Sequence, residues 1–258
     1  MSTSSLNRSH DLTYSTTPGN EISSEDLQSC STLYNENYGV WAPHSKALRK
    51  SSVPGGRVKL PPTGLKQELL SDPDRTILVT CHLDGLLIGH AFATSWDCGQ
   101  DVVGWVTQLV VLEKHRRKKI ATNLLRCLTE NKWYSGITIL GIASSHPVSC
   151  KALANLAGIS LGDIDTNFIA QNATRVLGSS PVSYLKTSEP RGSLFQNESE
   201  SDVVSSIATR FPINHAEPLA VLEKFVSEGC WRLGNLKEND EFLVIAPVAV
   251  DPRLLPID

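Results

Sequence analysis

The chain has 258 residues, 40% of them hydrophobic, and a formal net charge of −3 from 24 basic and 27 acidic side chains. That length and balance suit one large soluble domain, or one domain with an elaboration, and they argue against bulk electrostatic binding to nucleic acid. No apolar run approaches the ~18 residues of a membrane span, and the polar N-terminus does not read as a signal peptide.

Residues 1–29 are dominated by Ser, Thr, Asn and acidic groups and read as a disordered leader. Residues 30–258 then read as one domain. Tyr34, Tyr38 and Trp41 come first, punctuated by Pro54-Gly-Gly56 and Pro61-Pro62. These aromatic residues either anchor their segment to the core or line a pocket. Gly64–Leu70 is a short helix. Thr76–His82 is a strand, Asp84-Gly85 a hairpin turn and Leu87–Thr94 the return strand. Val102–Leu112 is rich in β-branched residues, lacks Pro and reads as a buried strand. A helix over about 117–131 follows, with Ile120, Leu124, Leu125 and Leu128 on one face. Ile137–Ala143 is another buried strand, and Ser149–Ala157 is a helix closed by Gly158.

The last hundred residues have weaker patterns. An insertion at about 160–202 holds a helix over Ile164–Leu177, a strand over Val182–Lys186 and a polar loop over Arg191–Asp202. Val203–Phe211 alternates like a strand. Asn214-His-Ala-Glu217 reads as a capping box before a helix over Pro218–Val226. Trp231–Leu233 and Glu241–Ala246 read as a closing hairpin. The six cysteines (Cys30, Cys81, Cys98, Cys127, Cys150 and Cys230) are scattered without a C-x-x-C pair. They predict reduced thiols, no structural metal and a cytoplasmic setting, with a nuclear one as the alternative.

The most informative stretch is Lys114-His-Arg-Arg-Lys-Lys119, between the third strand and its helix. It holds five cations in six positions. A helix N-terminus already presents positive potential, so cations there are disfavoured unless an anion docks. Phosphate or pyrophosphate is the natural candidate. A solvated basic turn, or a nuclear-import or nucleic-acid contact, is the alternative.

Leu109–Ala121 resembles the acyl-CoA site of the GNAT superfamily of N-acetyltransferases, whose pattern Q/R-x-x-G-x-G/A falls here on Arg116, Lys119 and Ala121. Trp105–Val111 together with Ser144-Ser-His-Pro147 is similar to fungal GNAT-like proteins that carry a C-terminal extension. The resemblance implies an α/β (α+β) fold with a mixed, mostly antiparallel sheet and helices on both faces. Strands 102–112 and 137–143 are then parallel neighbours that splay at their C-terminal ends. Acetyl-CoA is the implied acyl donor. Leu109, Val110 and Val111 would lie along pantetheine, and Arg116, Arg117, Lys118, Lys119, Ile120, Ala121 and Thr122 around the pyrophosphate. Lys119 and Arg117 occupy positions where the family has Gly, which lets phosphate approach the backbone.

The implied reaction is direct N-acyl transfer, without metal, to a small-molecule or protein amine, with no nucleic-acid or membrane partner. The alternative is a fold that binds acyl-CoA or a protein without turnover. Aligned on Gly158-Ile159, the family's Asn and Tyr positions are Pro147 and Ala154, so its usual proton donor is missing. Thr107 and Gln108 stand where an acidic base is often found. Substitutes are His146, as base or as a mere helix cap, then His90, the Cys150 thiol and the Tyr184 phenol.

Overall fold

The Asp84-Gly85 turn sets the longest pairings of the protein. Both residues have positive φ, at 50° and 81°, the backbone that a two-residue hairpin needs to match strand twist. The structure, a computed structural model, describes residues 11–43, 53–195 and 202–248. In chain order the elements are β1 (Leu12–Pro18), α1 (Ser24–Asn37), α2 (Pro62–Leu69), β2 (Thr76–Leu83), β3 (Leu86–Cys98), β4 (Asp101–Val111) and α3 (Ile120–Thr129). Then come β5 (Ile139–Ser144), α4 (Pro147–Leu156), α5 (Thr166–Gly178), α6 (Ser183–Lys186), β6 (Pro190–Arg191), β7 (Ser206–Ile207), α7 (Ala216–Ser227) and β8 (Glu241–Pro247). The strands form one sheet in the order β1-β2-β3-β4-β5-β8-β7-β6. Every neighbouring pair is antiparallel except β4–β5, which is parallel.

Two irregularities shape the centre of the sheet. In the β3–β4 ladder Phe92 faces Gln108 and Ala93 faces Val106, so Thr107 is an extra, bulged residue. The β4–β5 ladder runs only from Val103↔Ile139 to Val106↔Ile142. Past that point β4 pairs with β3 alone and β5 with β8 alone. The strands therefore part at their C-terminal ends, beginning at the bulge, as a bulge's local bend and twist favour.

Glycines show which helices cover which face. A side chain on Gly89 would meet Ile120 and Leu124 of α3, and one on Gly104 would meet Ile137 and Trp133. That face belongs to α3, with α4 beside it. On the other face, Leu27, Leu33 and Leu65 of α1 and α2 pack with Leu78, Phe92 and Val110. The rest of that face is covered by α5 and α6. Trp105 tilts against Trp96 at 6.0 Å, and its Nε1 donates to Tyr184 Oη at 3.1 Å.

Several elements differ from the sequence reading. Residues 12–29 are not a leader. β1 pairs with β2 along its whole length, and Ser23 and Asp26 form a capping box for α1. An edge strand is hydrogen-bonded on one side only, so its Ser/Thr-rich composition mimics disorder. Residues 1–10 lie outside the described residues. Val182–Lys186 is α6, not a strand: Ser180 Oγ accepts from Val182 N, and Val182 O receives the Leu185 and Lys186 amides. The strand expected over 203–211 shrinks to β7. The amides of Val204 and Ser205 both go to Leu233 O, and Arg210 adopts φ 55°. Trp231–Leu233 accordingly belongs to a loop, and β8 pairs with β5 and β7 instead.

The Trp105 ring fills the space above Gly141, where an added Cβ would lie 2.2 Å from two ring carbons. Gly141→Ala is expected to destabilise the protein by roughly 1–3 kcal/mol, the cost of overpacking a core. Urea unfolding checks this, and unchanged stability would mean that Trp105 is not seated over β5.

Candidate active site

The basic turn divides into two parts with different tasks. Arg116 points inward. Its NH1 reaches both Glu217 oxygens at 3.1 and 3.2 Å, its NH2 donates to Asn37 O at 2.5 Å, and its Nε to Val111 O at 3.3 Å. It ties the ends of β4 and α1 to the first turn of α7. The pyrophosphate contact expected of its side chain is thus taken up inside the protein. The same bond changes the reading of 214–217. Asn214 Oδ1 accepts from Ala216 N, but Glu217 does not close a capping box because Arg116 holds it.

His146 completes this bracket. Its Nδ1 accepts from Val148 N at 3.2 Å and so caps α4. That leaves Nε2 directed at Glu217 Oε1, 3.7 Å away. His146 and Arg116 together hold the Glu217 carboxyl down at about 2. Of the two roles weighed for His146, the structure supplies the cap.

Arg117, Lys118 and Lys119 face outward, in front of the buried Ile120. Arg117 and Lys119 both have φ 61°. These are the two positions where the sequence pattern led to Gly, and the backbone is in the region that favours Gly. Left-handed non-glycine residues cost about 1–2 kcal/mol each, and such strain clusters at functional sites. No amide from Arg117 to Thr122 has a hydrogen-bond acceptor among the described residues. Successive amides turned one way by such a backbone make an anion-binding concavity, here at the N-terminus of α3. Arg117, Lys118 and Lys119 are exposed around it.

On the sheet face opposite α3, a cavity of about 200 Å³ opens where β4 and β5 part. Its floor is Thr107, Gln108 and Ala143, and Glu241 of β8 stands beside them. α1 and the segment after it contribute Tyr34, Tyr38 and Trp41, and α6 contributes Tyr184. Tyr34 and Tyr38 stack at 4.3 Å, and Phe211 meets Tyr38 at 6.1 Å and Trp41 at 5.1 Å. The aromatic segment therefore both anchors the second core and walls the cavity.

Glu241 is the group that sequence reasoning missed. It is 7% exposed, and burial pushes its carboxyl up to about 7. The Thr209 hydroxyl and the Ser145 amide pull it part of the way back. The Thr209 contribution is that of a nearby dipole rather than a formed bond, because Thr209 Oγ1 has no hydrogen-bond partner. The signal was present: Glu241 opens a strand whose next five residues are all apolar, Phe242-Leu-Val-Ile-Ala246.

The other candidates separate cleanly. Burial raises the Tyr184 phenol well above its ordinary value, so it stays protonated, and its oxygen already accepts from Trp105. His90 lies under the cavity floor. Its Nε2 meets Gln108 Oε1 at 2.8 Å, and burial lowers it to about 4, so it is neutral. Cys150 is fully buried in α4, and burial drives its thiol far up, away from thiolate. Ala154 is buried in the core and offers no proton.

Residues 41–147 match the model of the Acetyltransferase (GNAT) family. The matched stretch, less than half of the chain, runs from the cavity's aromatic wall through the split and the basic turn to the first residue of α4. No curated protein matches the sequence. Solved structures similar to it include an aminoglycoside acetyltransferase from an uncultured soil metagenomic sample, in complex with sisomicin. That likeness has 11% identity and a TM-score of 0.37, over 51% of this chain and 76% of the other. Another is the diaminobutyrate acetyltransferase of Paenibacillus lautus, in complex with its substrate and coenzyme A, at 14% identity and a TM-score of 0.36, over 64% and 78%. A third is the NatC complex bound to Gag peptide and CoA, at 14% and 0.38, over 57% and 82%.

The strained turn makes a direct prediction. Lys119→Gly removes a Cβ from a left-handed position and is expected to raise stability by about 1 kcal/mol. Denaturant titration reads the change. A loss of stability would show that the turn is not left-handed at Lys119.

Proposed function

We propose that the protein is an acyl-CoA-dependent N-acyltransferase, with acetyl-CoA as donor, that acts on a small-molecule amine by direct transfer with Glu241 as general base. The observation that carries this reading is a buried carboxyl poised near neutrality at the mouth of the β4–β5 split.

The residues present fit the donor. The unbonded amides of Arg117, Lys118, Lys119, Ile120, Ala121 and Thr122 suit a pyrophosphate, and the exposed side chains of Arg117 to Lys119 add charge. The freed edge of β4 over Leu109, Val110 and Val111 suits the amides of pantetheine. When bound, the donor supplies an activated acyl group. Arg116 serves this site indirectly, by fixing the end of β4 from which the turn departs.

The protein's own groups supply the proton transfers. An amine enters as its ammonium ion and must lose a proton before it can attack. Glu241 takes that proton, and a base with pKa near the working pH is well matched to the task. Tyr184, which stays protonated and lines the cavity from α6, can hydrogen-bond the departing sulfur as the thiolate forms. Thiols leave readily, since their pKa lies near 8–9, so this donor matters less than the base. The insertion that carries Tyr184 thereby offers a phenol from a position unrelated to Ala154.

Glu241→Gln is expected to lower kcat by about 10²–10⁴-fold, the range of general acid–base effects, while acetyl-CoA binding persists. The wild-type rate should rise as pH passes through about 7, where Glu241 loses its proton, and the variant should lack that limb. The same shift has a stability sign. The folded carboxyl holds its proton to higher pH than the unfolded one, so Glu241 disfavours folding increasingly as pH rises from about 4.5 to about 7. Thiol release against an amine panel, with thermal unfolding at several pH values, reads both effects. Full activity of the variant would remove Glu241 from the reaction, and acetyl-CoA binding without turnover of any amine would favour a binding module.

A further inference from the structure

The cavity holds features that transfer to a simple amine does not use. Lys59 and Arg210 both line it, both are exposed at its rim, and neither forms an ion pair among the described residues. Thr107 Oγ1 is buried beside Glu241 and has no hydrogen-bond partner among the described residues, and Thr209 acts on the Glu241 carboxyl itself. Glu68, the other lining carboxylate, already has an interaction of its own. The rings of Tyr38, Trp41 and Phe211 line the same cavity.

Building on the N-acyl transfer proposed above, we infer that the acceptor is a small amino-acid-like zwitterion with an apolar body: its ammonium faces Glu241, its side chain packs on the aromatic wall, and its carboxylate is held by the rim cations Lys59 and Arg210. Three physical arguments support this class. A cavity of about 200 Å³ is smaller than the ~300–1,000 Å³ of drug-sized sites, so the acceptor is compact. Two unpaired cations at the rim repel a second ammonium, which disfavours diamines and polyamines. A carboxylate accepts charge-assisted hydrogen bonds from both cations at once. The split of charge also orients the molecule. Only the ammonium gains from a carboxylate partner, so the nucleophile is presented to Glu241 and the β4–β5 opening.

Matched acceptors test the assignment, with acetyl-CoA as donor and thiol release as the readout. L-Phenylalanine is compared with 2-phenylethylamine, and L-leucine with 3-methylbutylamine. The amino acid of each pair is expected to have at least a tenfold higher kcat/KM, with most of the gain in KM. Lys59→Glu and Arg210→Glu should each cut that ratio at least fivefold, and the neutral pair Lys59→Met and Arg210→Gln should cut it in the same direction. Circular dichroism confirms the fold of each variant. An amine acylated as well as its amino acid, or a ratio untouched by all four substitutions, would overturn the zwitterion assignment and leave N-acyl transfer standing. Acetyl-CoA binding with no turnover of any acceptor would overturn both.

Discussion

The parting of β4 from β5 is the constraint on which the rest of the site depends. Four residue pairs hold these strands in parallel, and the ladder stops at Val106↔Ile142. Thr107, bulged against β3, turns the remainder of β4 away, and Trp105, filling the space above Gly141, fixes the last paired segment from one face. A continuous ladder would place sheet where the cavity now opens. It would also occupy the backbone edge of Leu109 to Val111. One local irregularity therefore creates both a free strand edge and the hollow beside it.

Around that opening the charges are divided with some economy. Arg116 is spent on structure: with Glu217 and His146 it joins α7, α4, the end of α1 and the end of β4. Its neighbours are left facing solvent over a run of unbonded amides. The backbone strain at Arg117 and Lys119 is tolerable because β4 and α3 fix the turn from both sides, and α3 is anchored through Ile120, Leu124, Leu125 and Leu128. On the opposite face the insertion after α4 is a wall of the site rather than an appendage, since α6 brings Tyr184 against Trp105 at the cavity.

Much of the fold was legible because its centre follows simple periodicities. β2, β3, β4, α3, β5, α4, α5 and α7 have apolar spacing strong enough to place them within a few residues. The parts that were not legible share a physical cause, namely that their partners are distant in sequence. β1 looks like a polar leader until β2 supplies its hydrogen bonds. The segment 203–211 looks like a strand until Leu233 O claims two of its amides. Glu217 looks like a capping residue until Arg116, about a hundred positions away, takes it. The candidate site behaves likewise. The basic turn was legible as a run of cations at a helix start, and the structure adds that its glycine-like backbone persists without glycine. Glu241 was not legible as a buried carboxyl because only the tertiary fold removes it from water. His146 was visible for the right reason, a titratable side chain at a strand exit, but its ring is committed to α4 and Glu217.

The proposed reaction needs donor and acceptor to meet at the split, and a crystal structure of the protein with bound CoA tests that most directly. The pyrophosphate is expected over the amides of Arg117 to Thr122, the pantetheine along the free edge of Leu109 to Val111, and the sulfur at the opening beside Thr107 and Ala143, facing Glu241 and Tyr184. A CoA molecule seated elsewhere, or one whose sulfur points away from the cavity, would contradict it.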